Sequence, residues 1–256
     1  MLDSVKSRPK IRPAPSPPRH GKDVGTISVI LERAAAFAMS ALARYLAWPL
    51  GEFSTLTSTD RLALAAVLRP GDVLLSSGSS RCAALVKRLT RSTWSHVSMY
   101  VGPLQDERDP LCVVEAHIAD GVRAIRLSDL DARRICVLRP MGLGDADRGR
   151  LVASVLRHLG SEYDRAQAWM VARRLLVHRW RAQLQSLPTT MVRTGTRFIC
   201  ATLIGHAFAL IGHSIVPAGE TVSDPLASCN SLVPADFEVA SVFAIVWPLD
   251  MRDERI

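Results

Sequence analysis

Read from its amino end, the chain begins polar and proline-rich, SVKSRPKIRPAPSPPRHGKD, with almost nothing to bury. Such a segment cannot offset the entropy of ordering, so residues 1–25 are expected to be a disordered basic tail. From Thr26 the pattern turns helical and almost wholly apolar, TISVILERAAAFAMSALARYLAWPL. Its uncharged run between Arg33 and Arg44 is ten residues long, against the roughly 20 that a membrane-spanning helix needs. A long polar lead and the interrupting Glu32–Arg33 also make it a poor secretory signal. Residues 26–57 therefore read as an apolar helix and linker, either packed on the domain or lying on a membrane surface.

Beyond this point the rhythm alternates between strand and helix. Ser58 or Thr59 can cap RLALAAVL, and Pro70–Gly71 ends that helix. DVLLSS (72–77) has strand character, and RCAALVKRLT (81–90) suits a short amphipathic helix. WSHVSMYVG (94–102), CVVEAH (112–117), GVRAIRL (121–127) and ICVLRP (135–140) alternate or run apolar as strands do. DADRGRLVASVLRHLG (145–160) predicts a helix with acidic residues in its first turn and Gly160 past its end. A basic helix is expected over about 165–185, a second apolar helix from Cys200 to about Gly212, and a last strand over 241–249. Strands gathered mid-chain with helices on both sides give an α+β domain over 58–250, followed by a tail at 251–256.

Composition adds a sizeable core, with 48% apolar and 22% charged residues. Five scattered cysteines without a CxxC pair predict no metal site, cofactor or disulfide framework, and a reducing compartment. The net charge of +8 is concentrated: residues 1–25 carry +4 and residues 165–197 carry +7. Within the basic helix Trp169 and Trp180 recur at helical spacing, while Arg173 and Arg174 fall largely elsewhere. That arrangement suits an anionic membrane surface, or equally a packed helix with a solvated cationic face. Nucleic acid is not expected, because no binding motif is present and aromatics are 5% of the chain. The chain is expected in the cytoplasm or peripherally on a membrane.

Three segments carry candidate chemistry. In WSHVSMYVG, alternation places Trp94, His96, Ser98 and Tyr100 on one face; in VVEAH it groups Val113, Glu115 and His117. A carboxylate beside His96 would fix its tautomer, unless both groups simply lie on a solvated sheet face. In TRFICATLIGHAF, a cap at Thr194 or Thr196 would put Cys200 in the first turns of a helix, where free N–H groups favour a thiolate. The competing reading is a buried core cysteine.

The order of these pieces resembles the circularly permuted papain-like families related to NlpC-type peptidases, particularly the YiiX-like group. The matching segments are RPGDVLLSSG, WSHVSMYVG, VVEAHIADGV, GSEYD, FICATLIGHAF and VPADFEVA, spanning about Leu68 to Pro248. The resemblance implies a permuted papain-like fold with a central antiparallel sheet and flanking helices. It implies Cys200 as nucleophile, His96 as base then acid, Glu115 as the group orienting His96, and Tyr163 near the oxyanion. His117 rivals Glu115 for the orienting role, Asp164 is expected only to cap a helix, and His206 is expected to be non-catalytic. Where the family's cysteine is usually followed by Ser-Glu, this chain has Ala201–Thr202, which bears on substrate choice. Three functions follow. One is an amidase or peptidase acting on a peptide or peptidoglycan-like substrate. Another is a membrane-associated acyl hydrolase or acyltransferase acting on lipid, the chemistry of the lecithin:retinol acyltransferase relatives. The last is a binding protein without turnover.

Overall fold

A computed structural model describes residues 37, 41, 44–48, 58–130, 134–164, 167–168, 197–215 and 225–248. The chain divides into two compact units, Met1–Ala41 and Leu42–Ile256. Of the first unit only Phe37 and Ala41 are described, both in helical backbone; all that follows concerns the second. The expected tails at 1–25 and 251–256, most of the apolar helix, and the basic helix with Trp169, Arg173, Arg174 and Trp180 lie outside the described residues.

Helix α1 (Ser58–Val67) leads into strand β1 (Val73–Ser76) and helix α2 (Arg81–Thr90). Strands β2 (His96–Tyr100), β3 (Leu111–His117), β4 (Gly121–Arg126) and β5 (Ile135–Pro140) follow, then helix α3 (Asp145–Leu156). A two-residue strand β6 (Glu162–Tyr163) pairs with β7 (Arg197–Phe198), and helix α4 (Cys200–Leu210) starts directly afterwards. Short helices α5 (Pro225–Ser228) and α6 (Pro234–Val239) precede strand β8 (Phe243–Trp247). The main sheet has six strands in the order β4-β3-β2-β1-β5-β8, every neighbouring pair antiparallel. The fold is therefore α+β, as the order of strands and helices implies, with the central antiparallel sheet that the family resemblance implies.

Both faces of this sheet are covered. Val73, Leu75, Val97, Met99, Val114 and Leu138 point to one side, into a core completed by α3 and α4 through Leu151, Val155, Ile204 and Phe208. Leu74, Val113, Ile125 and Val137 point to the other, against Leu64 and Leu68 at the end of α1. The strands carry apolar residues on successive positions for this reason; a half-solvated sheet would alternate.

Asp72, fully buried just before β1, pins the sheet to α1. Its carboxylate accepts from Arg139 Nε at 3.0 Å and Nη2 at 2.7 Å, and from the Arg69 backbone N–H at 2.8 Å. Arg139 also donates to the Val67 carbonyl at 2.7 Å, so one ion pair joins α1, β1 and β5. Gly121 opens β4 at φ +78°, and a Cβ there would stand 2.3 Å from the Ser161 carbonyl oxygen. Only glycine lets that carbonyl approach to accept from the Val122 N–H at 2.8 Å. This contact ties the segment before β6 to the sheet.

Some features depart from the sequence reading. Helix α3 ends at Leu156 and continues to Gly160 only as turns. The parallel β6–β7 ladder, at two residues per strand, is too short to leave a periodic signal.

Candidate active site

His96 is the first residue of β2, and Glu115 lies within β3. The β2–β3 pairing is recorded at Met99↔Val114 and Tyr100↔Val113 and does not extend to His96. The imidazole nevertheless reaches the neighbouring strand: His96 Nε2 stands 3.0 Å from Glu115 Oε2. Neither group lies on a solvated face. Glu115 is 7% exposed and Ser98 is fully buried, while Trp94 sits in the same cluster as Val97 and Met99. The solvated-sheet reading of these polar residues is thus overturned, and so is the grouping of Trp94 with Ser98 on a face opposite the core.

The other Glu115 oxygen is taken by a residue the sequence reading passed over. Arg123 is the cross-strand neighbour of Glu115 on β4. Its Nε donates to Oε1 at 2.9 Å, and its Nη2 lies 2.8 Å from the same oxygen. Arg123 Nη1 in turn donates to Asp120 Oδ2 at 2.6 Å. His117 Nδ1 is 2.8 Å from that Asp120 oxygen, a charge contact that lacks hydrogen-bond alignment. Glu115, not His117, therefore contacts His96. A cross-strand Glu–Arg pair was a usable signal in VVEAH and GVRAI once the hairpin register was known.

Cys200 is the first residue of α4, with Ile199 at the N-cap. The cap is neither Thr194 nor Thr196; instead Thr202 Oγ1 accepts from the Ile199 N–H at 3.1 Å. This is the reach-back half of a capping box, which a glutamate three residues past the cap ordinarily supplies. Ala201 and Thr202 are 1% and 3% exposed. The departure from Ser-Glu therefore bears on the helix start and the core, not on a substrate-facing surface.

Electrostatics join the three groups. Burial alone would raise the Cys200 thiol. The charge and hydrogen bond of His96, then the backbone N–H groups of Val97 and Ala201, outweigh burial and hold it below the ordinary thiol value. Burial would lower His96, but the Cys200 thiolate and then Glu115 push it up to about 10. Burial would raise Glu115, but His96 and Arg123 bring it down to about 2. With Nε2 turned to Glu115, Nδ1 is the nitrogen left for Cys200. A thiol held low beside an imidazole held high, with a carboxylate behind it, is a set that can deliver a nucleophile and a proton to the same bond.

Two further side chains feel the thiolate. Tyr163, in β6, pairs in register with Phe198, two residues before Cys200. Burial and then the Cys200 charge push its phenol well above the ordinary value. Cys82, near the start of α2, is driven up to about 11 by burial and the Cys200 charge. It stands by the site as a neutral thiol, and nothing in a scattered cysteine count could have placed it there. Asp164 Oδ1 accepts from the Gln167 N–H at 2.8 Å, a capping contact. His206 is turned elsewhere, its ring centroid 5.9 Å from Phe198 and 6.2 Å from His158. Among the described residues no three His, Cys, Asp or Glu side chains gather in a way that could hold a metal ion.

Comparison with known proteins adds a family. Residues 67–173 match the family described as permuted papain-like amidase enzyme, YaeF/YiiX, C92 family. His96, Glu115, Arg123 and Tyr163 fall inside this stretch, and Cys200 falls after it. No match was found among curated proteins. Among solved structures, the chain is similar to the crystal structure of metalloprotein yiiX from Escherichia coli O157:H7. Identity is 17%, covering 70% of this chain and 97% of that one, with a TM-score of 0.47.

Proposed function

We propose that this chain, whose residues 67–173 match the family described as permuted papain-like amidase enzyme, YaeF/YiiX, C92 family, cleaves an amide bond through Cys200, His96 and Glu115. The observation that carries the assignment is the His96 Nε2–Glu115 Oε2 contact at 3.0 Å, beside a Cys200 thiol that the charge of His96 holds below its ordinary value.

In this reading the Cys200 thiolate attacks the amide carbonyl carbon, and the C=O π electrons move to oxygen. As the tetrahedral intermediate collapses, the imidazolium of His96 gives its proton to the departing nitrogen and the C–N bond breaks. A thioester on Cys200 remains. Water then attacks that thioester, His96 takes its proton, and the acid leaves as the thiolate and imidazolium are restored. Glu115 keeps Nε2 oriented throughout and stabilises the cation without taking the proton. Arg123 holds the second Glu115 oxygen, so the carboxylate can neither rotate away nor gain a proton near neutral pH. The α4 N-terminus favours developing negative charge at the oxyanion, with the Cys200 backbone N–H and Tyr163 as the proposed donors.

A peptide or peptidoglycan-like amide is the proposed substrate class. Two active-site probes test it, one with an amide-like warhead and one acyl ester, followed by intact mass. Labelling of the wild type by the amide probe, and its absence in Cys200→Ala, is the expected result. Labelling by the ester alone moves the assignment to acyl transfer, and labelling by neither leaves a binding protein on this fold.

A further inference from the structure

We propose that the outer face of α2, together with the adjoining segment 44–48, is a docking surface for an anionic lipid bilayer. The two pieces touch: the Arg81 N–H donates to the Trp48 carbonyl at 3.2 Å, and the Arg81 guanidinium stacks over the Tyr45 ring at 4.5 Å. Tyr45 is 58% exposed, Trp48 66% and Leu85 45%. Side chains of this size are not filling a core. On α2, Arg81, Leu85 and Arg88 recur at helical spacing on the outward side, while Ala83 is buried.

Charge selects the occupant. Arg44, Arg88 and Arg91 are exposed and make no ion pair with any described residue. Neither 44–48 nor 81–95 contains an aspartate or glutamate. Aromatic rings and an aliphatic side chain set among arginines match the headgroup layer of a bilayer: rings settle at the interface while guanidinium groups meet lipid phosphates. A nucleic acid would use the arginines and rings but leave Leu85 without a partner.

The surface does not depend on the reaction proposed above. Cys82, on the flank of the same helix about a quarter-turn from that face, feels the charge of Cys200.

The test is vesicle co-sedimentation of the full chain, with phosphatidylcholine vesicles and with vesicles containing phosphatidylglycerol, at low and high salt. Binding to the anionic vesicles is expected, weakened by salt. It should fall at least about tenfold in Trp48→Ala/Leu85→Ala and in Arg44→Gln/Arg88→Gln. Cys200 alkylation rates matching the wild type would show that both variants are folded. The charge variant replaces exposed side chains only, so it remains informative if the apolar one does not fold. Wild-type failure to bind anionic vesicles overturns the proposal. So does undiminished binding in the folded variants, which would move the contact to the basic residues of 1–25 or of 165–185. Loss of single-stranded RNA binding, with vesicle binding intact, overturns it in favour of a nucleic-acid surface.

Discussion

A thiol becomes useful at neutral pH only if something nearby prefers its anion. At Cys200 that preference comes from His96 and from backbone N–H groups at the start of α4, acting against burial. Iodoacetamide should therefore modify Cys200 faster than Cys82, Cys112, Cys136 or Cys229. His96→Ala should slow that reaction by roughly tenfold or more, because the thiolate loses its counter-ion. Equal rates at all five cysteines would contradict the site. Turnover has a different upper limit. His96 keeps its proton up to about 10, and above that pH the departing amine has no donor. Turnover is expected to fall there while alkylation continues, a divergence that a paired pH profile reads directly. Arg123 belongs to the same scale. Arg123→Gln frees one oxygen of a carboxylate that is 7% exposed, and Glu115 then gains a proton more easily. The acidic limb of the alkylation profile should move to higher pH in Arg123→Gln and return toward wild type in Arg123→Lys; an unmoved limb would reduce Arg123 to a strand-pairing residue.

At the level of elements, two joints decide whether the site residues meet. The Asp72 carboxylate is fully buried and hydrogen-bonded to the half-buried Arg139 and to the Arg69 N–H. Asp72→Ala removes the charge-assisted hydrogen bonds of that carboxylate, so it should cost about 2–3 kcal/mol in urea unfolding. Gly121→Ala must both leave a left-handed φ and displace a carbonyl 2.3 Å away. A loss of about 2 kcal/mol or more is expected, with the β6 end of the site loosened first. The sequence made the large elements readable because each strand and helix repeats its period over several residues. His96 and Glu115 could be assigned to strands for that reason. Their contact, the capture of Oε1 by Arg123 and the placement of Cys82 depend on hairpin register and helix packing, which single segments do not encode. The cap of α4 was misread for a related reason: Thr194 and Thr196 are good caps locally, but the β6–β7 ladder holds the chain extended through Phe198 and delays the helix to Cys200.

Across the whole molecule, no helix among the described residues is long and apolar enough to cross a membrane. Acid stability carries the signature of the site. Glu115 has a depressed value of about 2 against its ordinary 4.5. Its contribution is present above the unfolded value and is lost as pH falls toward the folded one. Thermal stability should therefore decline between about 4.5 and about 2, and Glu115→Gln should flatten that decline; an unchanged slope would place the acid sensitivity elsewhere.

One small feature has a broad consequence. The β6–β7 ladder sets Glu162 against Arg197 and Tyr163 against Phe198, and the Asp164 N–H adds a bond to the Phe198 carbonyl at 3.0 Å. The two strands of that clasp stand far apart in the sequence, at Glu162–Tyr163 and Arg197–Phe198. The cost of closing a loop grows only with the logarithm of its length. Tyr163 and Cys200 therefore take their spacing from the clasp itself, not from the length of chain that joins its two strands.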